Sequence, residues 1–242
     1  MRVALLSDIH GNLFALEAVL AALRQTTIDQ IICLGDVALF GPQPSEVLAK
    51  MQALACPIVM GNTDAWALDP QPLSVRDEQS ALIHAIESWG AAQLGEAERA
   101  YLRTFQPTVE LTLGDDIPLL GYHGSPHSYH DLLVATTPDT EVATLLGDQK
   151  ALVLAGGHTH AQYVRRYQNK WLLNPGSVGL PYEIGADGTV RNPPWAEYAL
   201  LEGTTSGVTI ALCRAFYDVA LLLATAKASG MPYAEWWCKD WG

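Results

Sequence analysis

Seven side chains that can bind metal ions stand in short polar clusters along the sequence. Each cluster follows an apolar run, which is the typical pattern of a buried strand that ends in a loop. The set combines carboxylates, imidazoles and one carboxamide: Asp8, His10, Asp36, Asn62, His123, His158 and His160. Mixed nitrogen and oxygen ligands suit Mn, Fe, Zn, Ni or Co better than Ca or Mg, and no thiolate is among them. The sequence therefore predicts a site for divalent transition metals.

The spacing within two of the clusters supports this prediction. Asp8 and His10 are two residues apart, and so are His158 and His160. In an extended chain, side chains at this spacing point to the same side, so each pair can face one site. A single motif of this kind is weak evidence, because Asp and Asn are common turn residues after a strand. The joint occurrence of five such clusters indicates a metal site more strongly.

Alternating strands and helices must position these clusters. The predicted strands are 2–7, 30–34, 57–60, 108–113, 117–122, 151–155, 162–167, 170–173, 197–202 and 207–213. Predicted helices start at the N-caps Asn12 and Ser45 and cover 76–104, with a break near Gly90 or Gly95, then 139–147 and 215–229. This order predicts an α/β protein with buried parallel strands. The C-terminal ends of such strands meet at one edge of the sheet, where we expect the clusters to converge.

Composition and charge narrow the function classes. The chain has 242 residues and a formal net charge of −12, so we expect one domain over 1–242 and no nucleic-acid polymer as partner. No segment approaches the ~20 apolar residues that span a membrane, and no signal peptide is evident. The four cysteines lie far apart, and Cys33 is expected to be a buried free thiol. We expect a cytoplasmic protein without membrane contact. Trp236, Trp237 and Trp241 favour packing or a homo-oligomer contact.

Five motifs in this order resemble those of the calcineurin-like metallophosphoesterase family. They are Asp-Ile-His-Gly-Asn (8–12), Gly-Asp-Val (35–37), Gly-Asn-Thr-Asp (61–64), His123 and Gly-His-Thr-His (157–160). The likeness is strongest to the small bacterial and archaeal phosphodiesterase branch, and it spans residues 3 to about 180. It implies a four-layer α/β/β/α sandwich, with two facing mixed sheets flanked by helices.

The resemblance also implies roles for single residues. One metal would be held by Asp8, His10, Asp36 and His160, and a second by Asp36, Asn62, His123 and His158. Asp36 would bridge ions ~3.5–4 Å apart, and a hydroxide between them would attack phosphorus in line. Catalytic roles fall to Asp36, Asn62, Asp64 and His123. Candidate substrate contacts are Asn12, Thr63, His127 and His130. The turn Asn174–Ser177 is a further candidate for the substrate pocket.

One position departs from the family pattern. Many members carry a His after the Asn, where it assists the leaving group, whereas this chain has Thr63 and keeps the following Asp64. We therefore favour small phosphodiesters over ordinary monoesters as substrates, with His127 or His130 as the alternative proton donor. The competing hypotheses are a Ser/Thr-type protein phosphatase, a dinucleoside polyphosphate hydrolase, and a non-catalytic metal-binding scaffold.

Overall fold

Two β-sheets lie face to face in the computed structural model, which describes residues 1–71, 77–114 and 116–241. In chain order the strands are β1 (Arg2–Leu6), β2 (Gln30–Cys33), β3 (Val109–Leu113), β4 (Ile117–Gly121), β5 (Val153–Ala155), β6 (Tyr163–Tyr167), β7 (Lys170–Asn174), β8 (Glu183–Ile184), β9 (Val190–Arg191), β10 (Trp195–Thr204) and β11 (Gly207–Phe216). The first sheet has the order β11-β10-β1-β2 and the second β3-β4-β5-β7-β6, while β8 pairs with β9. Both large sheets are mixed. Their parallel neighbours are β1 and β2 in the first sheet and β4, β5 and β7 in the second.

Helices cover the outer faces of both sheets. They are α1 (Leu13–Leu23), α2 (Pro44–Leu54), α3 (Asn62–Leu68), α4 (Glu78–Gln93), α5 (Glu96–Leu102), α6 (Asp139–Leu146), α7 (Val219–Ala228) and α8 (Ala234–Cys238). Leu16 of α1 packs on the first sheet, and Val142 of α6 packs on the second. Between the sheets, Leu5 and Leu119 belong to one shared apolar cluster. The predicted α/β/β/α sandwich is confirmed.

The apolar run of β1 shows why this sequence forms a buried central strand. Val3 and Leu5 belong to the cluster between the two sheets, while Ala4 and Leu6 belong to the cluster beneath the helices. A strand covered on both faces needs apolar residues at every position rather than at alternate ones. Full burial of a Leu side chain contributes about 1.5–3 kcal/mol. The chain then reaches its first metal-ligand candidates directly after this anchored strand.

Several predicted boundaries are confirmed. Asn12 caps α1, with its side-chain oxygen accepting the Ala15 N–H at 3.0 Å. The β3–β4 hairpin forms, and the long helical region divides at Gly95 into α4 and α5. Position 76, the predicted start of that region, lies outside the described residues. The N-cap of α2 is Gln43 rather than Ser45, because Pro44 takes the first helical position, where no N–H is needed.

Three expectations are corrected. The segment 57–60 forms only isolated bridges, between Cys33 and Ile58 and between Val59 and Gln106, because the chain turns into α3 at once. The last sheet hairpin is longer than predicted. Strand β11 continues to Phe216, so α7 begins only at Val219.

The C-terminal segment folds back on the protein. Trp237 is buried together with Leu180 and Leu222, so the tryptophan-rich tail packs within its own chain. The described cysteines carry free thiols, and Cys33 is buried as expected. Within the described ranges, no helix has the length and apolar character that crossing a membrane requires.

Candidate metal centre

The polar clusters of the sequence converge where four strands end. Asp8 and His10 follow β1, and Asp36 follows β2. His123 follows β4, and the pair at 158 and 160 follows β5. Because β1 and β2 are parallel, and β4 and β5 are parallel, the loops after these strands lie at one edge of the sandwich.

One group of candidate ligands consists of Asp8, His10 and His160. Asp8 Oδ1 lies 3.2 Å from His160 Nε2 and 3.7 Å from His10 Nε2. The other oxygen, Oδ2, accepts from the Ser7 hydroxyl at 2.5 Å and from the His158 N–H at 3.1 Å. Oδ1 is fully buried and has no hydrogen-bond partner among the described residues. One Asp8 oxygen is therefore fixed by the protein and the other is left facing two imidazoles.

A second group consists of Asp36, His123 and His158. The Asn62 carboxamide lies among them, with one end 3.0 Å from His123 Nε2, 2.9 Å from His158 Nδ1 and 3.2 Å from Asp36 Oδ2. With its oxygen at that end, Asn62 would be a fourth ligand of this group. Asn62 occupies this place because it starts α3 directly after Gly61.

Asp36 lies between the two groups. Its Oδ2 is 3.3 Å from His123 Nε2 and 3.8 Å from His10 Nε2, so one oxygen faces ligands of both groups. Its Oδ1 accepts the Thr63 backbone N–H at 2.9 Å and the Thr63 hydroxyl at 2.8 Å. These two bonds fix the carboxylate plane and turn Oδ2 towards the imidazoles.

Backbone carbonyls orient three of the imidazoles. The Nδ1 atoms of His10, His123 and His160 lie 2.9, 2.7 and 2.8 Å from the carbonyl oxygens of Leu39, Leu34 and Leu180, respectively. A carbonyl can only accept, so each Nδ1 carries a proton, and each Nε2 faces the centre, where the neutral ring would offer a lone pair to a metal ion. Histidines that bind metals are typically held in this way.

The backbone is strained where the ligands are. Residues with a Cβ rarely adopt positive φ angles, and such positions cluster at functional sites. Five candidate ligands do so, with φ between 48° and 66°: Asp8, His10, Asp36, His158 and His160. Glycines permit the close approach of these turns. A Cβ on Gly61 would lie 2.1 Å from Asp36 Oδ1, and one on Gly157 would lie 2.0 Å from the Ser7 hydroxyl.

The donor set fits divalent metal ions. His10 Nε2 and His160 Nε2 are 3.1 Å apart, and Asp8 Oδ1 is 3.2 Å from His160 Nε2. A cation among such atoms removes the repulsion between their lone pairs. The mixture of nitrogen and oxygen is the one that transition-metal ions prefer. The two groups could hold one ion each, with Asp36 shared between them.

The electrostatics of the centre also favour a positive charge. Burial alone would raise the pKa of Asp8, but the neighbouring His160 and His10 reverse this and hold the pKa well below its usual range. Burial alone would lower the pKa of His123, but the Asp36 carboxylate raises it to about 9. The buried carboxylates therefore stay ionised and attract a cation, whether a proton or a metal ion.

Asp64 is buried beneath the centre and positions the loops that carry it. Its two oxygens accept from the backbone N–H groups of Asp36, Val37 and Gly61 at 2.8, 3.0 and 3.1 Å. Burial and the Asp36 charge raise the pKa of Asp64 to about 6, against the effect of the N–H donors. The side chain is completely buried, so the structure gives this carboxylate a positioning role.

Asn12 and Thr63, both candidate substrate contacts, are also engaged by the protein. Asn12 is fully buried, and its amide donates to the Gly179 carbonyl at 2.9 Å and to the Tyr217 hydroxyl at 3.2 Å. The Thr63 hydroxyl is bonded to Asp36 rather than presented to a ligand. Both residues hold neighbouring segments in place.

The two loop histidines do not join the ligand groups. The His127 ring lies against Gly147 at the end of α6, where a Cβ on that glycine would be 2.8 Å from Nε2. His130 is exposed, and its backbone N–H bonds to the Ser128 hydroxyl. Contact of either histidine with a substrate stays a prediction.

The roles of two positioning serines, Ser7 and Ser177, and of the acidic residue Glu87 were not predicted from the sequence. Ser7 binds the Asp8 carboxylate, and the Ser177 hydroxyl donates to the Asp8 carbonyl at 2.7 Å. Ser177 ends the turn Asn174–Ser177, which the sequence indicates as a candidate for the substrate pocket, but its bond to the Asp8 carbonyl was not predicted. Glu87 of α4 is mostly buried near the centre. Burial and the Asp36 charge raise its pKa to about 7, and His10 lowers it. No motif surrounds Glu87, so nothing in the sequence pointed to it.

Comparison with known proteins agrees with this geometry. An uncharacterized protein of Methanocaldococcus jannaschii is 26% identical over 195 residues, which cover 74% of this chain and 76% of the relative. A metallophosphoesterase from Sphaerobacter thermophilus has a similar fold, with a TM-score of 0.72, 24% identity and coverage of 99% of this chain and 97% of that one. A hypothetical protein from Pyrococcus horikoshii superposes with a TM-score of 0.81 at 20% identity, covering 96% and 94%. The family model of the calcineurin-like phosphoesterase superfamily domain matches residues 1–202, and the chain belongs to that family.

Proposed function

We propose that the protein is a dinuclear-metal-dependent hydrolase of small phosphodiesters. The observation that carries this proposal is the pair of ligand groups that meet at Asp36, with the Asn62 carboxamide beside three further ligand atoms. Membership of a family of divalent-metal-dependent phosphoesterases supports it. All seven expected ligand residues are present, which favours catalysis over a scaffold.

The residues divide between the two ions as follows. Asp8, His10, His160 and Asp36 would hold one ion, and Asp36, Asn62, His123 and His158 would hold the other. When bound, divalent cations supply an activated water and neutralise charge on the phosphoryl oxygens. The protein supplies the fixed imidazole and carboxylate orientations described above. It also supplies a buried anionic pocket that keeps these cations in place.

The bond between Thr63 and Asp36 favours diesters over monoesters. A leaving alcohol of high pKa needs a proton, and a general acid must be within hydrogen-bond reach to give it. The Thr63 hydroxyl has a pKa unsuited to that task, and it already donates to Asp36 Oδ1. Esters with good leaving groups, and diesters that do not carry the second negative charge of a monoester, are therefore the better substrates. The same argument weighs against a protein phosphatase.

The net charge bears on the substrate class, and the free cysteines bear on the cellular location of the protein. The net charge of −12 disfavours nucleic-acid polymers and polyphosphates, so we propose small, singly charged substrates. Free cysteines are usual in a reducing compartment, which supports a cytoplasmic location.

A metal-dependent assay tests the proposal. Purified protein with added Mn²⁺ should hydrolyse bis-p-nitrophenyl phosphate faster than p-nitrophenyl phosphate. Asp36→Ala and His123→Ala should abolish both activities and lower the amount of bound metal. Asp139→Ala is the matched control, because Asp139 is exposed on α6 and lies outside the ligand groups. Metal-loaded protein that is inactive on a broad panel of phosphoesters would refute catalysis, and faster monoester turnover would refute the diester preference.

A further inference from the structure

An aromatic pocket opens beside the metal-ligand groups. Its volume is about 200 Å³, and its lining includes His160, Phe40, Tyr182, Trp236 and Trp237. His160 therefore contacts both the candidate metal centre and the pocket. Its Nε2 lies 3.2 Å from Asp8 Oδ1, and the residue also lines the pocket.

Two ring contacts tie the pocket to the candidate ligands. The Tyr182 ring centroid is 6.4 Å from that of His160, and the Phe40 centroid is 6.4 Å from that of His10 in an edge-to-face arrangement. A phosphoester with its phosphoryl group at the metal ligands would thus have one ester substituent within reach of the aromatic walls.

One wall of the pocket comes from the C-terminal tail. Trp236 and Trp237 lie on α8, beyond residue 202, where the family match ends. The tail is attached to the opposite wall, since the Asn192 N–H donates to the Asp240 carbonyl at 2.6 Å and Asn192 forms a β-bridge with Trp241. The pocket is therefore completed by residues outside the range that the family model matches.

We propose that this pocket binds a planar, uncharged ring of the substrate, either a nucleobase or an aryl group. The proposal rests on the proposed function and names the substrate class: phosphodiesters that carry such a ring. A volume of about 200 Å³ is below the roughly 300–1,000 Å³ of sites that hold a whole ligand, so it suits one substituent. Aromatic walls favour a flat ring, because stacking on aromatic side chains contributes about 1–3 kcal/mol per base.

Charge at the pocket limits the occupant further. Asp240 is among the lining residues, and its carboxylate disfavours a second phosphate or a polyphosphate chain there. Stacking on aromatic walls needs only a flat π-face, so a nucleobase and an aryl ring both satisfy them.

Matched substrates with one reacting group test this inference. Adenosine 3′,5′-cyclic phosphate is compared with two analogues that carry phenyl or methoxy in place of the base on the same cyclic diester. The base-bearing diester should show a kcat/KM about 5- to 150-fold above the methoxy analogue, which is the stacking energy converted to a ratio. A phenyl value equal to that of the base would assign the pocket to aryl rings in general. Equal values for all three diesters would overturn the inference.

Variants from both walls keep the test independent of one substitution. Trp236→Ala and Tyr182→Ala should each reduce the ratio of base to methoxy towards one, and this ratio is the readout because it is independent of any change in the turnover that both diesters share. Tyr233→Ala is the control, because Tyr233 is an exposed aromatic residue three positions before Trp236 and outside the lining. A ratio that survives both wall variants would contradict the proposal.

A binding measurement separates this inference from the proposed function. Calorimetry of Mn²⁺-loaded protein with adenosine 5′-phosphate and with ribose 5-phosphate compares a ligand that has the ring with one that lacks it. Tighter binding of the nucleotide, lost in Trp236→Ala, would support the pocket even if no diester were hydrolysed. Hydrolysis of diesters without any preference for the ring in either experiment would leave the function standing and refute the pocket.

Discussion

At the scale of single residues, Thr63 is a positioning residue for the shared carboxylate. Its hydroxyl and its backbone N–H both donate to Asp36 Oδ1, which leaves Oδ2 facing His123 and His10. The presence of Thr rather than His after Asn62 therefore does more than remove a candidate general acid. It adds a bond that fixes the carboxylate between the two ligand groups.

Replacing this hydroxyl should weaken metal binding. Thr63→Val keeps the shape and removes the donor to Asp36, and the loss of such a partner typically lowers metal affinity about 10- to 100-fold. Thr63→Ser keeps the donor and should retain the affinity. Competition with a chelator measures both variants against the unchanged protein. Equal affinity of the Val and Ser variants would show that the hydroxyl has no positioning role.

The positive φ angles of the ligands predict an unusual response to glycine. His158 has φ 66°, where an Ala costs about 1–2 kcal/mol. Glycine avoids that cost but loses about 0.5–1 kcal/mol through its more flexible unfolded chain. His158→Gly should therefore be as stable as His158→Ala, or up to about 1.5 kcal/mol more stable. Urea unfolding in the presence of a chelator measures the difference.

The control for this comparison lies in a regular helix. Ala224 is exposed in the middle of α7, where Ala224→Gly should lose about 1 kcal/mol of stability. A loss of similar size on going from Ala to Gly at position 158 would contradict the idea that the ligand turn stores backbone strain.

At the scale of elements, the strands could be predicted better than the segments that follow them in the chain. Apart from Arg2 and Gln30 at their starts, β1, β2 and β5 are apolar because both faces are covered, and the polar residues that follow them mark the edge where the ligands gather. The start of α3 at Asn62 could not be predicted in this way. That helix exists because Asp64 accepts three backbone N–H groups from two loops, which is a tertiary arrangement.

The helix α4 brings Glu87 near the centre, and this predicts a pH-dependent effect on stability. Its pKa is raised to about 7 in the folded protein from 4.5, so the folded state holds this proton more tightly than the unfolded chain. The contribution to stability is therefore lost as the pH rises from 4.5 through 7. Glu87→Gln should be more stable than the unchanged protein at high pH, by on the order of 1–3 kcal/mol, and equally stable at low pH.

Urea unfolding with a chelator at both ends of this range tests the expectation. Glu78→Gln is the matched control, because it makes the same substitution at an exposed position in the first turn of the same helix. If Glu87→Gln changes stability by the same amount at both pH values, the side chain does not titrate between them.

At the scale of the whole molecule, the ligand groups lie where loops from both sheets meet. Asp8 and Asp36 follow strands of the first sheet, and His123 and His158 follow strands of the second. A bound ion would therefore cross-link the two halves of the sandwich. The apolar runs before the clusters allowed this convergence to be predicted, because the ends of parallel strands meet at one edge. The resemblance to a family added the division of the ligands between two ions.

The aromatic pocket beside the candidate ligands could not be predicted from the sequence. The aromatic pocket joins Phe40, the loop around Tyr182 and the tail, segments that share no motif and meet only through packing and the bond between Asn192 and Asp240. The sequence suggested packing or self-association for the tryptophans, and only the fold shows that the tail lies beside His160.

Removal of metal should lower the stability of the whole protein. A ligand at 100 times its Kd stabilises the folded state by about 2.7 kcal/mol. For a chain of this size that corresponds to a fall in Tm of roughly 5–10 °C on chelation. Calorimetry with and without chelator measures the shift, and readdition of Mn²⁺ should reverse it. Asp36→Ala should lack a shift of this size, and an equal shift in that variant would place the stabilising ion elsewhere.

The attachment of the C-terminal tail has a consequence for how such a protein can diverge. The candidate ligands all lie within residues 1–202, which the family model matches, whereas one aromatic wall of the pocket lies beyond them. A substitution in the tail can therefore change this wall while every candidate ligand stays in place, and under our proposal each new wall would offer a different surface to the substituent of the ester. Relatives with the same centre and unrelated tails should thus differ in substrate preference while sharing one chemistry.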